Sequence, residues 1–245
     1  MRAGRQGGLA AVRRSDARRH LVQKGRPAVV HPERVSQPFT DSEIVASYET
    51  WYQTTGRRAD RLEKTLLRRL LTGFPGASTI LEVGCGTGHF TRWFSELGLQ
   101  AVGLDLSRLM LVEAVRLGSP PCVCGDGLAL PFPTGAFDLV AIITTLEFIP
   151  NPARVLAEAL RVARCGLILG VLNRQSLLGR KLRRAGGPIW GAAHFFTPTE
   201  LVHLVRGAAD ERQMKVLWRT TLWPLWPKPL PLPWGGFIGV AVMFS

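Results

Sequence analysis

The chain has 245 residues, of which 46% are hydrophobic and 20% charged, and its formal net charge is +13. This length is enough to bury the core of one α/β domain, so we interpret the chain as one folded domain with a tail. No stretch reaches the roughly 18 unbroken apolar residues of a membrane span, and no secretory signal is recognisable, so a cytoplasmic protein with four reduced cysteines is expected.

The positive charge is concentrated at the start of the chain. Residues 1–40 contain nine Lys or Arg residues against only Asp16 and Glu33, and they show no apolar periodicity. Such a composition cannot bury enough surface to offset the entropy of ordering. We therefore predict a disordered basic tail over 1–40 and a folded domain over 41–245. A transit peptide, a nucleic-acid arm or wrongly included upstream sequence would have the same composition.

Two helices are predicted ahead of the first strand. Apolar and aromatic residues recur at spacings of three and four from Ile44 to Tyr52, and leucines do so from Leu62 to Leu71. Strands and helices then alternate along the chain. The predicted elements are strand 79–83, helix 89–98, strand 100–105, helix 107–117, strands 121–124 and 136–143, helix 152–164 and strand 166–171.

The last third of the domain is predicted to contain one helix and two closing strands. Thr197-Pro198-Thr199-Glu200 has the pattern of a capping box, with an N-cap hydroxyl, Pro in the first turn and Glu three residues after the cap. Lys215–Thr221 and Gly235–Phe244 are the closing strands. Alternating strands and helices predict an α/β fold: a doubly wound, mostly parallel, seven-stranded sheet with helices on both faces.

A glycine-rich loop joins the first strand to the next helix. Gly84, Gly86 and Gly88 lack the Cβ atoms that would prevent the backbone from approaching a nucleotide. Asp105 ends the second strand, where a carboxylate can accept both hydroxyls of a ribose, and Asp126 follows the third strand at the same edge. The carboxyl ends of parallel strands converge on one crevice, so we expect these residues to surround one ligand.

These residues resemble the cofactor-binding motifs of class I S-adenosylmethionine-dependent methyltransferases. Residues 80–88, 103–107 and 125–132 are similar to the first three motifs of that family, and the resemblance extends over residues 41–245. It is nearest to the small-molecule branch that includes quinone-biosynthesis methyltransferases. The resemblance implies a Rossmann-like methyltransferase fold, S-adenosylmethionine as cofactor and transfer of a methyl group to a small, largely apolar molecule.

The resemblance also implies roles for individual residues. Glu82 and the backbone of the glycine loop would hold the methionine end of the cofactor, and Asp105 the ribose. Leu106 would pack on the adenine, Asp126 would accept its amino group, and Gly127 would offer a backbone N–H. The predicted cofactor-binding residues are Glu82, Gly84, Cys85, Gly86, Gly88, Asp105, Leu106, Asp126, Gly127 and Thr144. The chain departs from the family at Arg164-Cys165-Gly166, where a Pro-Gly-Gly turn is usual.

Competing interpretations of these motifs are weaker. A nicotinamide or flavin site would need Gly at position 89, which is His89. The segment after the fourth strand lacks the Asn/Asp-Pro-Pro-aromatic signature of exocyclic amine methylation, which argues against methylation of adenine or cytosine amino groups and makes a nucleic-acid partner a weaker expectation. The cysteines do not have the spacing of a zinc site, so no metal is expected.

The acceptor site is predicted in the segment after the fifth strand and on the first helix. Loops at the carboxyl edge form substrate sites in such folds, which favours Trp190, His194 and Phe195. Tyr48 and Trp51 are predicted to cover the site. Core packing would explain these residues equally well. The basic residues between 174 and 184 form a solvated helix face, or they meet an acidic substrate or a membrane surface.

Glu147 and His194 are the candidate bases, if the acceptor has a proton to lose. Two other functions stay open. One is an RNA or ribosome methyltransferase that uses the basic tail, and the other is a non-catalytic cofactor-binding subunit. The acceptor and the oligomeric state cannot be inferred from the sequence.

Overall fold

The computed structural model describes residues 37–209, 212–223 and 226–245. The predicted tail therefore lies outside the described residues, except for its last four, Gln37–Thr40, which form a short 3₁₀ turn. The carbonyl oxygen of Phe39 accepts a hydrogen bond from the hydroxyl of Ser107, so contacts with the domain begin two residues before the predicted boundary at 41.

The described elements follow in the order expected from the sequence. The helices are α1 (Ser42–Gln53), α2 (Arg57–Leu71), α3 (His89–Glu96), α4 (Arg108–Arg116), α5 (Pro152–Val162), α6 (Leu177–Ala185), α7 (Gly187–Trp190) and α8 (Pro198–Ala208). The strands are β1 (Thr79–Val83), β2 (Gln100–Asp105), β3 (Cys122–Cys124), β4 (Phe137–Ile143), β5 (Ala163–Leu172), β6 (Met214–Thr221) and β7 (Phe237–Phe244). A second 3₁₀ turn, Leu146–Phe148, follows β4.

The seven strands form one sheet in the order β3-β2-β1-β4-β5-β7-β6. Only β7 runs antiparallel to its neighbours, β5 and β6. This confirms the prediction of a mostly parallel, doubly wound sheet. The carboxyl ends of β1, β2 and β4 lie at one edge, together with the end of β5, the end of β6 and the start of β7.

Helices cover both faces of the sheet because the central strands are apolar on both sides. All seven residues of β4 are buried. Alternate residues of this strand enter two separate cores. Leu139 and Ala141 belong to the core that contains α2 and α3 residues such as Leu66 and Phe94. Val140 belongs to the core with α5 and α8.

The segment after α5, where the family usually has a Pro-Gly-Gly turn, continues directly into a strand. Arg164-Cys165-Gly166 is not a turn, because α5 ends at Val162 and β5 starts at Ala163. A Cβ on Gly166 would lie 2.0 Å from the carbonyl oxygen of Val242, so close strand pairing requires glycine there.

The predicted capping box at the start of α8 is confirmed. The hydroxyl of Thr197 accepts a hydrogen bond from the N–H of Glu200, and the Glu200 carboxylate accepts one from the N–H of Thr197.

The amino edge of the sheet is held by one carboxylate. Asp138 accepts hydrogen bonds from the backbone and hydroxyl of both Ser78 and Thr79, and it pairs with Arg164 on β5. These bonds hold the pKa of Asp138 well below its usual range, although burial opposes them. The starts of β1, β4 and β5 are thereby tied together on the edge opposite to the candidate site.

Candidate functional site

The loop between β1 and α3 has the backbone conformation that its glycines predict. Gly84, Gly86 and Gly88 have φ values of 74°, 53° and 77°, in the left-handed region that favours glycine. A Cβ on Gly84 would lie 2.1 Å from the side chain of Thr145, and one on Gly88 would lie 2.2 Å from Ser119. The loop thus lies against its neighbours with no room for a side chain.

Asp105 lies directly beside this loop, at the end of β2. One carboxylate oxygen accepts from the N–H of Gly86 and the other from the N–H of Ser107, both at 2.8 Å. Burial raises the pKa of Asp105, and these backbone hydrogen bonds counteract it. The two bonds fix the orientation of the carboxylate, so that it faces the cavity in front of the loop.

That cavity has a volume of about 590 Å³ and opens at the carboxyl edge of the sheet. It extends from the glycine loop and Asp105, past Asp126, to the second 3₁₀ turn. Its lining residues are Phe39, Tyr48, Val83, Gly84, Gly86, Leu104, Asp105, Leu106, Ser107, Met110, Gly125, Asp126, Gly127, Leu128, Thr144, Thr145, Phe148, Ile149, Pro150 and Val155. Seven of the predicted cofactor-binding residues therefore surround one cavity: Gly84, Gly86, Asp105, Leu106, Asp126, Gly127 and Thr144.

The other three predicted cofactor-binding residues lie behind the cavity wall. Glu82 is buried and accepts a hydrogen bond from the hydroxyl of Thr91 on α3, and burial raises its pKa to about 8. Cys85 is buried between the loop and β2. Gly88 is the residue before the first turn of α3. These residues shape the loop and do not line the cavity.

The predicted acceptor residues separate into two groups. Tyr48 lines the cavity, as expected for a covering residue, and burial raises its pKa to about 12. Trp51 does not line it: its ring is exposed and packs edge-on against Tyr52 and over Gly56. Of the two predicted covering residues on α1, only Tyr48 therefore lines the cavity in this structure.

The segment after β5 reaches the cavity only indirectly. Trp190 packs against Phe148, with ring centroids 6.0 Å apart, and Phe195 is buried behind Trp190. His194 is exposed, and its ring packs on Phe196. Its backbone N–H donates to the carbonyl oxygen of Glu147 at 2.8 Å. None of the three lines the cavity.

Two aromatic residues that the sequence analysis did not select complete the cavity. Phe148 and Phe39 meet edge-on with centroids 5.0 Å apart, and both line it. The hydroxyl of Ser107 also donates to the carbonyl oxygen of Phe39 at 2.7 Å, which ties the first 3₁₀ turn to the end of β2. Phe39 is the sole aromatic residue among the first forty, a signal that could have distinguished it from the surrounding basic segment.

Glu147 lies beside the cavity and not in its wall. It is 2% exposed, and one carboxylate oxygen accepts from the N–H of Leu172 at 2.6 Å. The other oxygen is buried and has no hydrogen-bond partner. Burial raises the pKa of Glu147 to about 7, against the opposing effect of its backbone hydrogen bonds. A carboxyl group with these properties can take up or release a proton near neutral pH.

A polar network holds α1 over the glycine loop. The carboxylate of Glu49 accepts from the hydroxyl of Thr87 at 2.5 Å and pairs with Arg92 at 3.0 Å. His89 stacks on Tyr52 and lies 2.7 Å from a carboxylate oxygen of Asp60 on α2. Hydrogen bonds to His89 and Thr87, with the charge of Arg92, lower the pKa of Glu49 to about 2 although burial opposes them. Both helices ahead of β1 are therefore attached to the loop and to α3.

In the described part of the chain, no group of three or more His, Cys, Asp or Glu side chains is arranged to hold a metal ion. No helix there is both long enough and apolar enough to cross a membrane.

Comparison with known proteins identifies the family. Residues 81–169 match the methyltransferase domain family. The chain is 30% identical to a demethylmenaquinone methyltransferase of Parafrankia sp. over 175 residues, 63% of this chain and 68% of the relative. It is 32% identical to a protein of the same name from Renibacterium salmoninarum over 136 residues, 55% of this chain and 56% of the relative. The alignments to the first curated relatives span less than two thirds of their length.

The fold is shared with solved structures. A crystal structure from Thermotoga maritima, described as an S-adenosylmethionine-dependent methyltransferase and possible histamine N-methyltransferase, has a TM-score of 0.68 and 27% identity. The match covers 86% of this chain and 99% of that one.

The residues present fit the cofactor of this family. Gly84 and Gly86 line the cavity with backbone that no Cβ covers, and Asp105 presents an oriented carboxylate at the end of β2. Asp126 and Gly127 line the same cavity beyond it, where the adenine would lie. The chain belongs to the class I S-adenosylmethionine-dependent methyltransferase family.

Proposed function

We propose that this protein transfers a methyl group from S-adenosylmethionine to a small, largely apolar molecule. The observation that carries the proposal is the apolar composition of one part of the cavity wall. Phe39, Phe148, Ile149 and Pro150 form an apolar surface that continues directly from the cofactor-binding residues. Among the lining residues, only Asp105, Asp126 and Tyr48 are ionisable. A charged or strongly hydrated acceptor would lose its water there without compensating partners.

The named relatives support the same class of acceptor. Two relatives are called demethylmenaquinone methyltransferases. A third, from Synechocystis sp., is called a 2-methyl-6-phytyl-1,4-hydroquinone methyltransferase and is 35% identical over 109 residues, 42% of this chain and 34% of the relative. An acceptor with an aromatic ring fits a wall in which Phe39 and Phe148 meet edge-on.

The bound cofactor supplies an electrophilic methyl group, whose transfer neutralises the positive charge of the sulfonium. The protein then has to hold the two reactants in line and exclude water. Asp105 would hold the ribose through its hydroxyls, and the backbone of the glycine loop would hold the methionine end. Tyr48 and Phe39 cover the cavity, and the apolar wall favours the loss of charge in the transition state.

Glu147 is the residue we propose as proton acceptor, for an acceptor whose attacking group must lose a proton. Its support is the buried carboxylate oxygen that has no partner, with a pKa near 7. Glu147 also has a structural role, because its other carboxylate oxygen accepts a hydrogen bond from the N–H of Leu172. Glu147→Gln separates the two roles, since an amide oxygen can still accept from Leu172 but cannot take a proton.

If Glu147 accepts the proton, the Gln variant stays folded and keeps its cofactor affinity, but turnover falls about 100-fold and the limb of the pH profile near 7 disappears. His194→Asn serves as the control, because that side chain is exposed, and its turnover should equal that of the unmodified protein. Normal turnover in Glu147→Gln, with an unchanged pH profile, would assign Glu147 a structural role only.

The direct test of the acceptor class uses S-adenosylmethionine labelled in its methyl group. The full chain is incubated with three separate fractions of a cell extract: lipid-soluble molecules, RNA and protein. Label in the lipid-soluble fraction is expected, and it should be absent with Gly84→Ala. Label in RNA would support the nucleic-acid alternative. Cofactor binding without label in any fraction would favour a non-catalytic subunit.

A further inference from the structure

Exposed apolar side chains gather at the carboxyl edge of the sheet, outside the cavity. They lie on α6 and on the proline-rich segment that connects β6 to β7. Their exposed fractions are 69% for Leu177, 51% for Trp226, 41% for Leu232 and 59% for Trp234. Single exposed apolar residues are ordinary, but two tryptophans and two leucines on adjoining segments indicate an interaction surface.

The two segments are held against each other. The side-chain amide of Asn173, just ahead of α6, donates to the carbonyl oxygens of Pro233 and Gly235 at 2.5 and 2.8 Å. A Cβ on Gly236 would lie 2.9 Å from the side chain of Leu178. Leu177 and Trp234 therefore project from neighbouring parts of one built surface.

The part of the connecting segment around Leu230 and Leu232 is hydrogen-bonded to β6. Thr220 and Leu230 exchange two backbone hydrogen bonds of 2.8 and 2.9 Å. The hydroxyl of Thr220 donates to the carbonyl oxygen of Leu232 at 2.6 Å. Four prolines between residues 227 and 233 restrict the backbone further. Because the backbone that carries these side chains is already ordered, binding through this surface would cost little further conformational entropy.

Positive charge surrounds these apolar residues. Arg180, Lys181, Arg183 and Arg184 are all exposed on α6, a helix whose sequence contains no acidic residue. Lys228 is exposed between the two tryptophans. Aromatic and leucine side chains bordered by cations are typical of protein surfaces that bind a lipid interface, where the apolar groups enter the acyl boundary and the cations meet phosphates.

We propose that this surface docks on an anionic lipid bilayer, from which the acceptor reaches the cavity. This inference rests on the proposed function, because a largely apolar acceptor is itself soluble in a bilayer. The docking surface is defined by Leu177, Trp226, Leu232 and Trp234 with the cations of α6. A nucleic acid would match the cations, but the exposed leucines would gain nothing from phosphates.

The docking surface and the cavity are connected through aromatic residues. The helix α6 contacts α7, which ends at Trp190, and Trp190 packs against Phe148 in the cavity wall. Trp190 and Phe148 thus link the segment that follows α6 to the cavity wall. The antiparallel pairing of β7 places the proline-rich segment at the same edge as the cavity opening.

Flotation with vesicles tests the docking surface without cofactor, acceptor or turnover, so its result is independent of the proposed function. The full chain is mixed with vesicles of phosphatidylcholine alone or with added phosphatidylglycerol. We expect flotation with the anionic vesicles only. Leu177→Ser combined with Trp234→Ser should weaken that binding about tenfold or more, because two exposed apolar side chains no longer enter the lipid. Arg183→Glu combined with Arg184→Glu should weaken it to a similar degree.

The matched control is on α4, where Val112 and Val115 are exposed to a similar extent. Their neighbour Glu113 pairs with Arg116, so this face does not carry unopposed positive charge. Val112→Ser combined with Val115→Ser should float like the unmodified protein. The basic residues 1–36 are present in every variant and could bind anionic vesicles by themselves. The proposal is therefore overturned if Leu177→Ser with Trp234→Ser floats as well as the unmodified protein. It is also overturned if the unmodified chain binds single-stranded RNA but no vesicle.

Discussion

The cavity has two halves that are built differently. In the cofactor half, the glycine loop and Asp105 come from consecutive elements, and the contacts are mainly backbone hydrogen bonds and the absence of Cβ atoms. In the acceptor half, Phe39 and Phe148 meet although they are more than a hundred positions apart in the chain. Only side chains form that wall. The cofactor half is therefore determined by local backbone conformation, and the acceptor half by tertiary packing.

This difference explains what each half tolerates. A backbone cradle depends on a few positions where any side chain is excluded, so one methyl group can abolish binding. An apolar wall tolerates changes of shape, because each side chain contributes area and not a specific bond. Substitutions in the cofactor half should therefore have large and general effects, whereas those in the acceptor half should be smaller and specific to the acceptor.

The largest effect is expected from Gly84→Ala. A left-handed φ costs a residue with a Cβ about 1–2 kcal/mol, and here the added Cβ also collides with Thr145. We expect cofactor affinity to fall by more than about 3 kcal/mol, as measured by calorimetric titration with S-adenosylhomocysteine. Gly118→Ala is the matched control, because its φ is 71° and no atom lies within 4 Å of the added Cβ. It should lower stability by the strain alone and leave affinity unchanged, and equal losses in both variants would disprove the steric argument.

Asp105→Asn should have the next largest effect. The amide removes the charge that the ribose hydroxyls would face and can accept only one of the two backbone N–H bonds. Cofactor affinity should fall by about 1–3 kcal/mol. Burial raises the pKa of Asp105, so the affinity of the unmodified protein should weaken as the pH falls into the acidic range. The Asn variant should lack that pH dependence, and a persistent dependence would place its origin in another residue.

Phe148→Ala should act on the acceptor half alone. Losing one aromatic contact should raise the acceptor KM by about tenfold. Cofactor affinity should stay within about twofold, since Phe148 is not among the backbone contacts that form the cofactor half. Trp51→Ala is the aromatic control, because Trp51 is exposed and lies outside the cavity. A large loss of cofactor affinity in Phe148→Ala would show that the two halves are not separable.

The smallest effect concerns a buried acid beside the acceptor half. Burial raises the pKa of Glu63 to about 8, and the negative charges of Asp60 and Glu147 add to this. The folded protein then retains a proton that the unfolded chain loses above pH 4.5, so the free energy of unfolding decreases as the pH rises from about 5 to 8. Glu63→Gln should remove the contribution of Glu63 to this decrease and raise Tm at pH 8 by a few degrees, with little change at pH 5. The exposed Glu96→Gln should follow the unmodified protein at both pH values.

The sequence predicted the cofactor half well because its signals are local. A strand, three glycines and a following acid identify the loop and Asp105 whatever the rest of the chain does. The acceptor half was predicted less well because topology brings a segment near the site without determining which side chains face it. Trp51 and His194 lie on the correct segments but point away, and Phe39 was assigned to the tail. The four-residue α7 was not predicted, because it is too short to show an apolar period, and for α6 the sequence indicated only that its basic residues form a solvated helix face.

The attachment of α1 and the first 3₁₀ turn has a consequence for protein synthesis. Glu49 bonds to Thr87, 38 positions later, and the carbonyl of Phe39 bonds to Ser107, 68 positions later. The segment that covers the cavity therefore leaves the ribosome before the surfaces it docks on exist. It must wait, as an exposed amphipathic stretch, until β1, α3 and β2 have emerged and paired. The first part of the domain to be translated is thus among the last to reach its native contacts.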